Sequence, residues 1–159
     1  LTNPAGARHQ LMGVFDQRWV VPVAEALGKL GSTHALVVHG EDGLDEISLT
    51  APTFVAEWHA GTVRTMTLTP QDFGFTPCTL AELQVKSAQE SATIIRAVFA
   101  DTPGPHRDIV LLNAGAALYA GDAVPSIAAG VERARVVLTS GAATRTLERF
   151  VALTHEEAA

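Results

Sequence analysis

The chain lacks the features that stabilise secreted proteins or anchor membrane proteins. Cys78 is the single cysteine among 159 residues, so no disulfide can form within the chain. A lone cysteine fits a reducing compartment. No apolar run reaches the ~18 residues of a membrane-spanning helix, and the N-terminus lacks the basic and then apolar segments of a secretory signal. We therefore expect no membrane partner.

Positive charge is also scarce. Lys and Arg total 11 against 17 Asp and Glu, a net charge of −6, which argues against a general nucleic-acid-binding surface. Neither a Walker loop nor a zinc-finger spacing is present. Hydrophobic residues make up 47% and charged residues 18%, as in a globular domain with a sizeable core. Five of the histidines show no metal-ligand spacing: His9, His34, His59, His106 and His155.

The most informative stretch is a short apolar run followed by an acidic loop. Leu36–Val38 is apolar at consecutive positions and mostly β-branched, which predicts a buried, parallel strand. Gly40 and Gly43 then interrupt the strand. Ligands of open α/β sheets bind outside the carboxyl ends of the strands. At this end the sequence places four carboxylates within six residues: Glu41, Asp42, Asp45 and Glu46.

These carboxylates can be interpreted in two ways. Four anionic groups this close repel one another, and a hard divalent cation, Mg²⁺ or Ca²⁺, would relieve the repulsion. The alternative is a solvated acidic turn without an ion. His39 could join Asp42 and Asp45 as a transition-metal site, although a histidine at the end of a buried strand is more often simply hydrogen-bonded.

The N-terminal part predicts a strand–helix–strand unit. Residues 8–15 have the pattern of a first strand. Asp16 is suited to cap the following helix, and Gly31 to end it. The crossover to the strand at Ala35 should be right-handed. The apolar residues at helical spacing, which we expect to be buried, are Val20, Val23, Ala24, Leu27 and Leu30.

The rest of the chain predicts a hairpin and then helices. Residues 53–58 and 62–68 resemble two hairpin arms that turn near Ala60 and Gly61. Residues 109–120 are apolar except for Asn113, which predicts a helix that is buried on most sides and an amide that needs a polar partner. Asp108 should cap this helix and Arg107 should pair nearby. A capping box at 87–90 predicts the start of another helix, with Ala92, Ile95, Val98 and Phe99 on one stripe. The remaining predicted segments are helices at 126–139 and 142–153 and a frayed tail at 154–159.

Several blocks of the sequence resemble one enzyme family. Val38–Ile47 reads V-H-G-E-D-G-L-D-E-I and closely resembles the V-H-G-x-D-G-L-D-E motif of anthranilate phosphoribosyltransferases. Leu1–Ala5 resembles the end of that family's G-P-L-x-N-P-A motif. Asp72–Gly74 and Arg107–Ala114 also resemble family blocks. The resemblance runs from Leu1 to about Leu153 with the motifs in family order.

The resemblance implies an α/β fold, here the C-terminal part of the large domain of a nucleoside-phosphorylase-type enzyme, with parallel strands, a β-hairpin and a helical C-terminal half. It implies phosphoribosyl transfer from phosphoribosyl pyrophosphate to anthranilate, in cytoplasmic tryptophan biosynthesis. In such enzymes the acidic pair that corresponds to Asp45 and Glu46 binds magnesium. The family also has an N-terminal helical domain, through which a homodimer forms.

We expect residues 1–159 to be a fragment. The family's glycine-rich G-T-G-G-D segment, which binds pyrophosphate, is absent, as is its K-H-G-N-R substrate segment. Two other functions remain open. A pyrimidine nucleoside phosphorylase shares the architecture, although the intact G-L-D-E motif argues against it. A related nucleic-acid-binding protein of the same fold is disfavoured by the negative net charge.

Overall fold

The computed structural model describes residue 1 and residues 5–156. The 1–5 motif and the predicted tail therefore lie partly outside the described residues. The described part contains four strands, six helices and two short 3₁₀ turns. The strands are β1 (His9–Gly13), β2 (His34–Gly40), β3 (Thr53–His59) and β4 (Thr62–Leu68). The helices are α1 (Val20–Lys29), α2 (Leu80–Leu83), α3 (Ala88–Phe99), α4 (Pro105–Ala120), α5 (Ile127–Thr139) and α6 (Ala142–Glu156). The 3₁₀ turns are Gln17–Trp19 and Pro70–Phe73.

The four strands form one mixed sheet in the order β1-β2-β3-β4. β1 and β2 are parallel and are joined through α1, as predicted. β3 pairs antiparallel with both β2 and β4. Ala60 and Gly61, with φ of 49° and 82°, make the tight turn of the predicted hairpin. The α/β class, the parallel pair, the hairpin and the helical C-terminal half are all confirmed.

The central strand β2 is buried on both faces, which explains its continuous apolar run. On one face Ala35 and Val37 pack with α1. On the other face Leu36 and Val38 pack with α4 and α5. Burying each of these larger side chains contributes about 1.5–3 kcal/mol. The strand is thus held from both sides, and the loop that follows it starts from a fixed point.

Helix α1 begins and ends close to the predicted positions. Asp16 accepts a hydrogen bond from the backbone N–H of Arg18 at 3.0 Å and starts the 3₁₀ turn that leads into the helix. Gly31, with φ of 96°, provides the left-handed residue after its end. The prediction of a buried Leu30 is wrong. Its side chain is 57% exposed because the helix ends at Lys29 and Leu30 lies beyond the buried stripe.

Helix α4 differs from its prediction at two points. Its N-cap is Gly104 and not Asp108, because Pro105 occupies the first helical position. Asp108 instead accepts from the guanidinium of Arg107 at 3.1 Å, so the predicted pairing of Arg107 is confirmed. The helix is also less enclosed than predicted, since Val110 and Ala117 are exposed. Its buried side faces the sheet and α5: Leu111, Leu112, Gly115, Ala116 and Ala120.

Helices α4 and α5 cross at unusually short distance because two glycines meet there. A Cβ built on Gly130 would lie 2.2 Å from the carbonyl oxygen of Gly115. A Cβ on Gly115 would lie 2.6 Å from the backbone nitrogen of Val131. A larger residue at either position would push the helices apart. Within the described residues, no helix combines the length and hydropathy needed to cross a membrane.

Candidate functional site

The acidic loop between β2 and β3 places Asp45 and Glu46 at the surface. Both residues are exposed, and among the described residues neither carboxylate has a hydrogen-bond or ion-pair partner. Partial burial and the neighbouring charge of Asp45 raise the pKa of the Glu46 carboxyl. Two adjacent carboxylates are therefore left without compensation, which is the situation that a bound cation relieves.

The backbone of this loop packs directly on the end of β1. A Cβ built on Gly13 would lie 1.5 Å from the carbonyl oxygen of Asp45, so only glycine allows this approach. Glu46 borders a cavity of about 360 Å³ that runs beside β1 and α4. Gln10, Leu11 and Ala117 also line this cavity. Glu46 thus faces a cleft, whereas Asp45 is not part of its lining.

Asn113 on α4 holds the acidic loop in place through hydrogen bonds to its backbone. Its Oδ1 accepts from the backbone N–H of Ile47 at 2.9 Å, and its Nδ2 donates to the carbonyl of the same residue at 2.9 Å. Nδ2 also donates to the carbonyl of Ile109 at 3.0 Å. Ile47 itself is 1% exposed. The predicted polar partner of Asn113 is therefore the backbone next to Glu46, and this bond fixes the acidic pair relative to α4.

Asp42 stabilises the loop through hydrogen bonds to residues of the same loop. Its carboxylate accepts from the backbone N–H of Leu44 at 3.2 Å, from the Ser48 hydroxyl at 2.6 Å and from the Thr50 hydroxyl. Burial by itself would raise the pKa of this carboxyl, but these hydrogen bonds outweigh burial and hold the pKa below its ordinary value. Gly40 makes room for the arrangement, because a Cβ there would lie 2.5 Å from Asp42 Oδ1.

His39 has a structural partner. Its Nδ1 donates to the carbonyl of Val14 at 2.8 Å and so ties the end of β2 to the chain after β1. This contact agrees with the hydrogen-bonded alternative for His39. Among the described residues, the ligand atoms of His39, Asp42 and Asp45 do not come close enough together to share a metal ion.

The donor set at Asp45 and Glu46 fits a hard cation. Both side chains offer carboxylate oxygens and are free of protein partners within the described residues. Magnesium usually binds through one or two carboxylates and retains several waters. The two residues could therefore hold Mg²⁺, while Gly13, Asp42 and Asn113 fix the backbone that carries them.

A second polar cluster, which the sequence patterns do not reveal, lies at the opposite end of the sheet. Strand register aligns His9 with His34 and His34 with His59, so the three side chains form a row across β1, β2 and β3. Asp122, just after α4, accepts from His34 Nδ1 at 2.7 Å and from His9 Nε2 at 3.0 Å. These histidines show no ligand spacing along the chain, but the fold brings them close together. Only the strand register could have revealed the row.

The mixed sheet, its helical cover and the carboxylates after the central strand define an α/β domain of the kind that binds ligands at strand ends. The sequence profile of the glycosyl transferase family, a/b domain, matches residues 1–144. The chain belongs to this family.

Similar proteins agree with the resemblance found in the sequence. A protein from Halorhodospira halophila named anthranilate phosphoribosyltransferase is 53% identical over 156 residues, 98% of this chain and 46% of that protein. The solved structure of anthranilate phosphoribosyltransferase from Thermus thermophilus has a TM-score of 0.79 at 42% identity, over 88% of this chain and 41% of that one. The Saccharomyces cerevisiae enzyme, in complex with PRPP and Mg, has a TM-score of 0.80 at 25% identity, over 91% and 42%. The chain spans about half the length of the curated relatives it matches.

Proposed function

We propose that the chain is the C-terminal portion of the α/β domain of an anthranilate phosphoribosyltransferase. The full-length protein would transfer a phosphoribosyl group from phosphoribosyl pyrophosphate to anthranilate, releasing pyrophosphate, in tryptophan biosynthesis. The observation that carries the proposal is the unpaired Asp45–Glu46 carboxylate pair on a clamped loop, in a chain 53% identical to a protein of that name. We also propose that the protein is cytoplasmic and that it dimerises through an N-terminal helical domain.

Asp45 and Glu46 are the proposed magnesium ligands. Bound Mg²⁺ would supply positive charge to the pyrophosphate group of the substrate. The residues of this chain hold the acidic pair in position. Asn113 holds the Ile47 peptide, and Gly13 sets the depth of the loop against β1. Both carboxylates keep their oxygens free, Glu46 at the cleft and Asp45 next to it in the chain. Little acid–base chemistry is required, because the amine of anthranilate is already a nucleophile, and orientation dominates the rate.

The decisive experiment substitutes the pair in the full-length protein and titrates magnesium. Asp45→Asn and Glu46→Gln should each raise the Mg²⁺ concentration needed for half-maximal turnover, by about tenfold or more if a direct ligand is lost. The matched control is Glu41→Gln, an exposed carboxylate of the same loop that should leave the titration unchanged. Anthranilate fluorescence reports turnover. Identical magnesium curves for all three variants and the parent would remove the pair from the site.

The 159-residue chain alone should be inactive. It carries the acidic pair but not the G-T-G-G-D or K-H-G-N-R segments, and half of a two-substrate site cannot hold both reactants in one geometry. With anthranilate, phosphoribosyl pyrophosphate and Mg²⁺ we expect no loss of fluorescence, whereas turnover near that of the full-length protein would contradict the assignment. Release of free base from a pyrimidine nucleoside in the presence of phosphate, measured on the full-length protein, tests the phosphorylase alternative. A nucleic-acid titration tests the binding-protein alternative.

A further inference from the structure

The histidine row at the start of β2 has the composition of a metal site of a different kind from the acidic loop. One nitrogen each of His34 and His59 and a carboxylate oxygen of Asp122 all lie within 4.8 Å of one another. The His34 and His59 rings are 4.5 Å apart between centroids. The three residues come from β2, β3 and the end of α4, so a shared ion would join the sheet to the helix.

His34 is oriented as metal-bound histidines usually are. Its side chain is 1% exposed, and its Nε2 donates to Glu57 Oε1 at 3.0 Å. Glu57 is in turn fixed by the hydroxyl of Tyr119 at 2.6 Å. A ligating histidine nearly always donates its second ring N–H to a carboxylate or carbonyl, which sets the tautomer and the ring orientation. Glu57 is in position to do this and leaves His34 Nδ1 directed at Asp122.

The surroundings of these three side chains suit a small metal ion that keeps one coordination position open to water. A cavity of about 550 Å³ borders His34, His59, Asp122 and Tyr119, so water can supply a fourth ligand. Tetrahedral coordination at about 2.0–2.1 Å requires ligand atoms about 3.3 Å apart. His34 Nδ1 and Asp122 Oδ1 are at 2.7 Å and need to separate slightly. His59 is half-buried at the cavity rim, so rotation of its ring can shorten the longer separations.

Two carboxylates and one arginine lie at the cluster. Glu57 and Asp122 bring two negative charges, against which Arg64 brings one positive charge, with its Nη2 3.8 Å from Glu57 Oε2. His34 has a carboxylate oxygen within hydrogen-bond distance of each ring nitrogen, from Glu57 at Nε2 and from Asp122 at Nδ1. A bound ion would lie between Nδ1 of His34 and Oδ1 of Asp122 and would replace their direct contact.

We propose that His34, His59 and Asp122 bind an imidazole-preferring divalent transition-metal ion, Zn²⁺ or Co²⁺, with Glu57 as the carboxylate that positions His34. Nitrogen donors favour these ions over Mg²⁺. The site is separate from the acidic loop, because the seven residues of β2 put about 20 Å between its two ends. Its role would be to secure the end of α4 to the sheet.

The test uses the full-length protein without a histidine tag, stripped of metal with a chelator and then titrated with Co²⁺. We expect one equivalent of Co²⁺ to give visible d–d absorption that Zn²⁺ abolishes and excess Mg²⁺ does not. Asp122→Asn suits the local backbone, because Asp122 has φ of 53° and asparagine tolerates that conformation. Both Asp122→Asn and His59→Gln should weaken Co²⁺ binding by more than about tenfold, and Glu57→Gln by about 10- to 100-fold.

The matched control is His155→Gln, which removes an exposed histidine far along the chain in α6. It should bind Co²⁺ as the parent does. Zn²⁺ should also raise the melting temperature of the parent and of this control, but not that of Asp122→Asn or His59→Gln. Melting curves without metal establish that the variants are folded. No Co²⁺ absorption at about 100 µM free Co²⁺, a concentration that fills a site with a dissociation constant of about 1 µM, would overturn the proposal. So would equal Co²⁺ affinity in all the variants.

Discussion

Replacing Asn113 should destabilise the protein through the loop and not through the helix that carries the residue. Asn113→Ala leaves the N–H and the carbonyl of the buried Ile47 without their partners at 2.9 Å. An unpaired buried backbone group costs about 1–3 kcal/mol. Because water can reach part of this site, we expect a loss of roughly 2–4 kcal/mol in the free energy of unfolding. At a slope of about 2 kcal/mol per molar, the urea midpoint should fall by about 1–2 M.

A second variant separates the hydrogen bonds from the volume of the side chain. Asn113→Asp keeps an acceptor for Ile47 N–H but places its other oxygen against the carbonyls of Ile47 and Ile109, now 2.9 and 3.0 Å from Nδ2. These neighbours and burial should raise the folded-state pKa of the new carboxyl above about 3.9. The variant should then lose stability relative to the parent as pH rises from that value through the raised pKa.

Urea denaturation followed by circular dichroism at pH 4.5 and pH 8 tests both expectations. Gln89→Ala serves as the control, since this exposed amide on α3 should shift the midpoint very little. A midpoint for Asn113→Ala within experimental error of the parent would refute the stabilising role of the hydrogen bonds between Asn113 and Ile47. A stability difference between Asn113→Asp and the parent that does not change with pH would refute the assigned orientation of the amide.

Two further outcomes test the core and the loop. Leu112→Ala should cost roughly 2–5 kcal/mol in the free energy of unfolding, because Leu112 is 0% exposed. Val110→Ala on the same helix, 39% exposed, should cost far less in the same urea titration, and equal losses would contradict the described face of α4. The pKa of Asp42 is lowered from 3.8, so its contribution to stability is present above pH 3.8 and is lost as pH falls through the lower folded-state value. Melting curves of the parent and Asp42→Asn from pH 3 to 6 should converge at the acid end, and parallel curves would contradict this.

The sequence by itself determined the local elements and the acidic pair. Hydrophobic periodicity, capping residues and turn residues depend on only a few neighbouring positions. Three elements were therefore predicted close to their observed bounds: β2, the hairpin at Ala60 and Gly61, and the helix after Ser126. The family resemblance rests on short motifs of the same kind, and the profile match and the relatives confirm it. The link from Asp45 and Glu46 to magnesium stays a prediction, because nothing in the fold requires an ion there.

Only the tertiary structure determined which residues that are distant in sequence are in contact. The contact of Asn113 with Ile47 joins residues 66 positions apart, and the contact of His34 with Asp122 joins residues 88 positions apart. Local periodicity carries no information on such pairs, because strand register and helix docking are set by packing over the whole core. The same packing exposes Val110 on a helix that the sequence predicts to be buried on most sides. It also brings three separate histidines into one row.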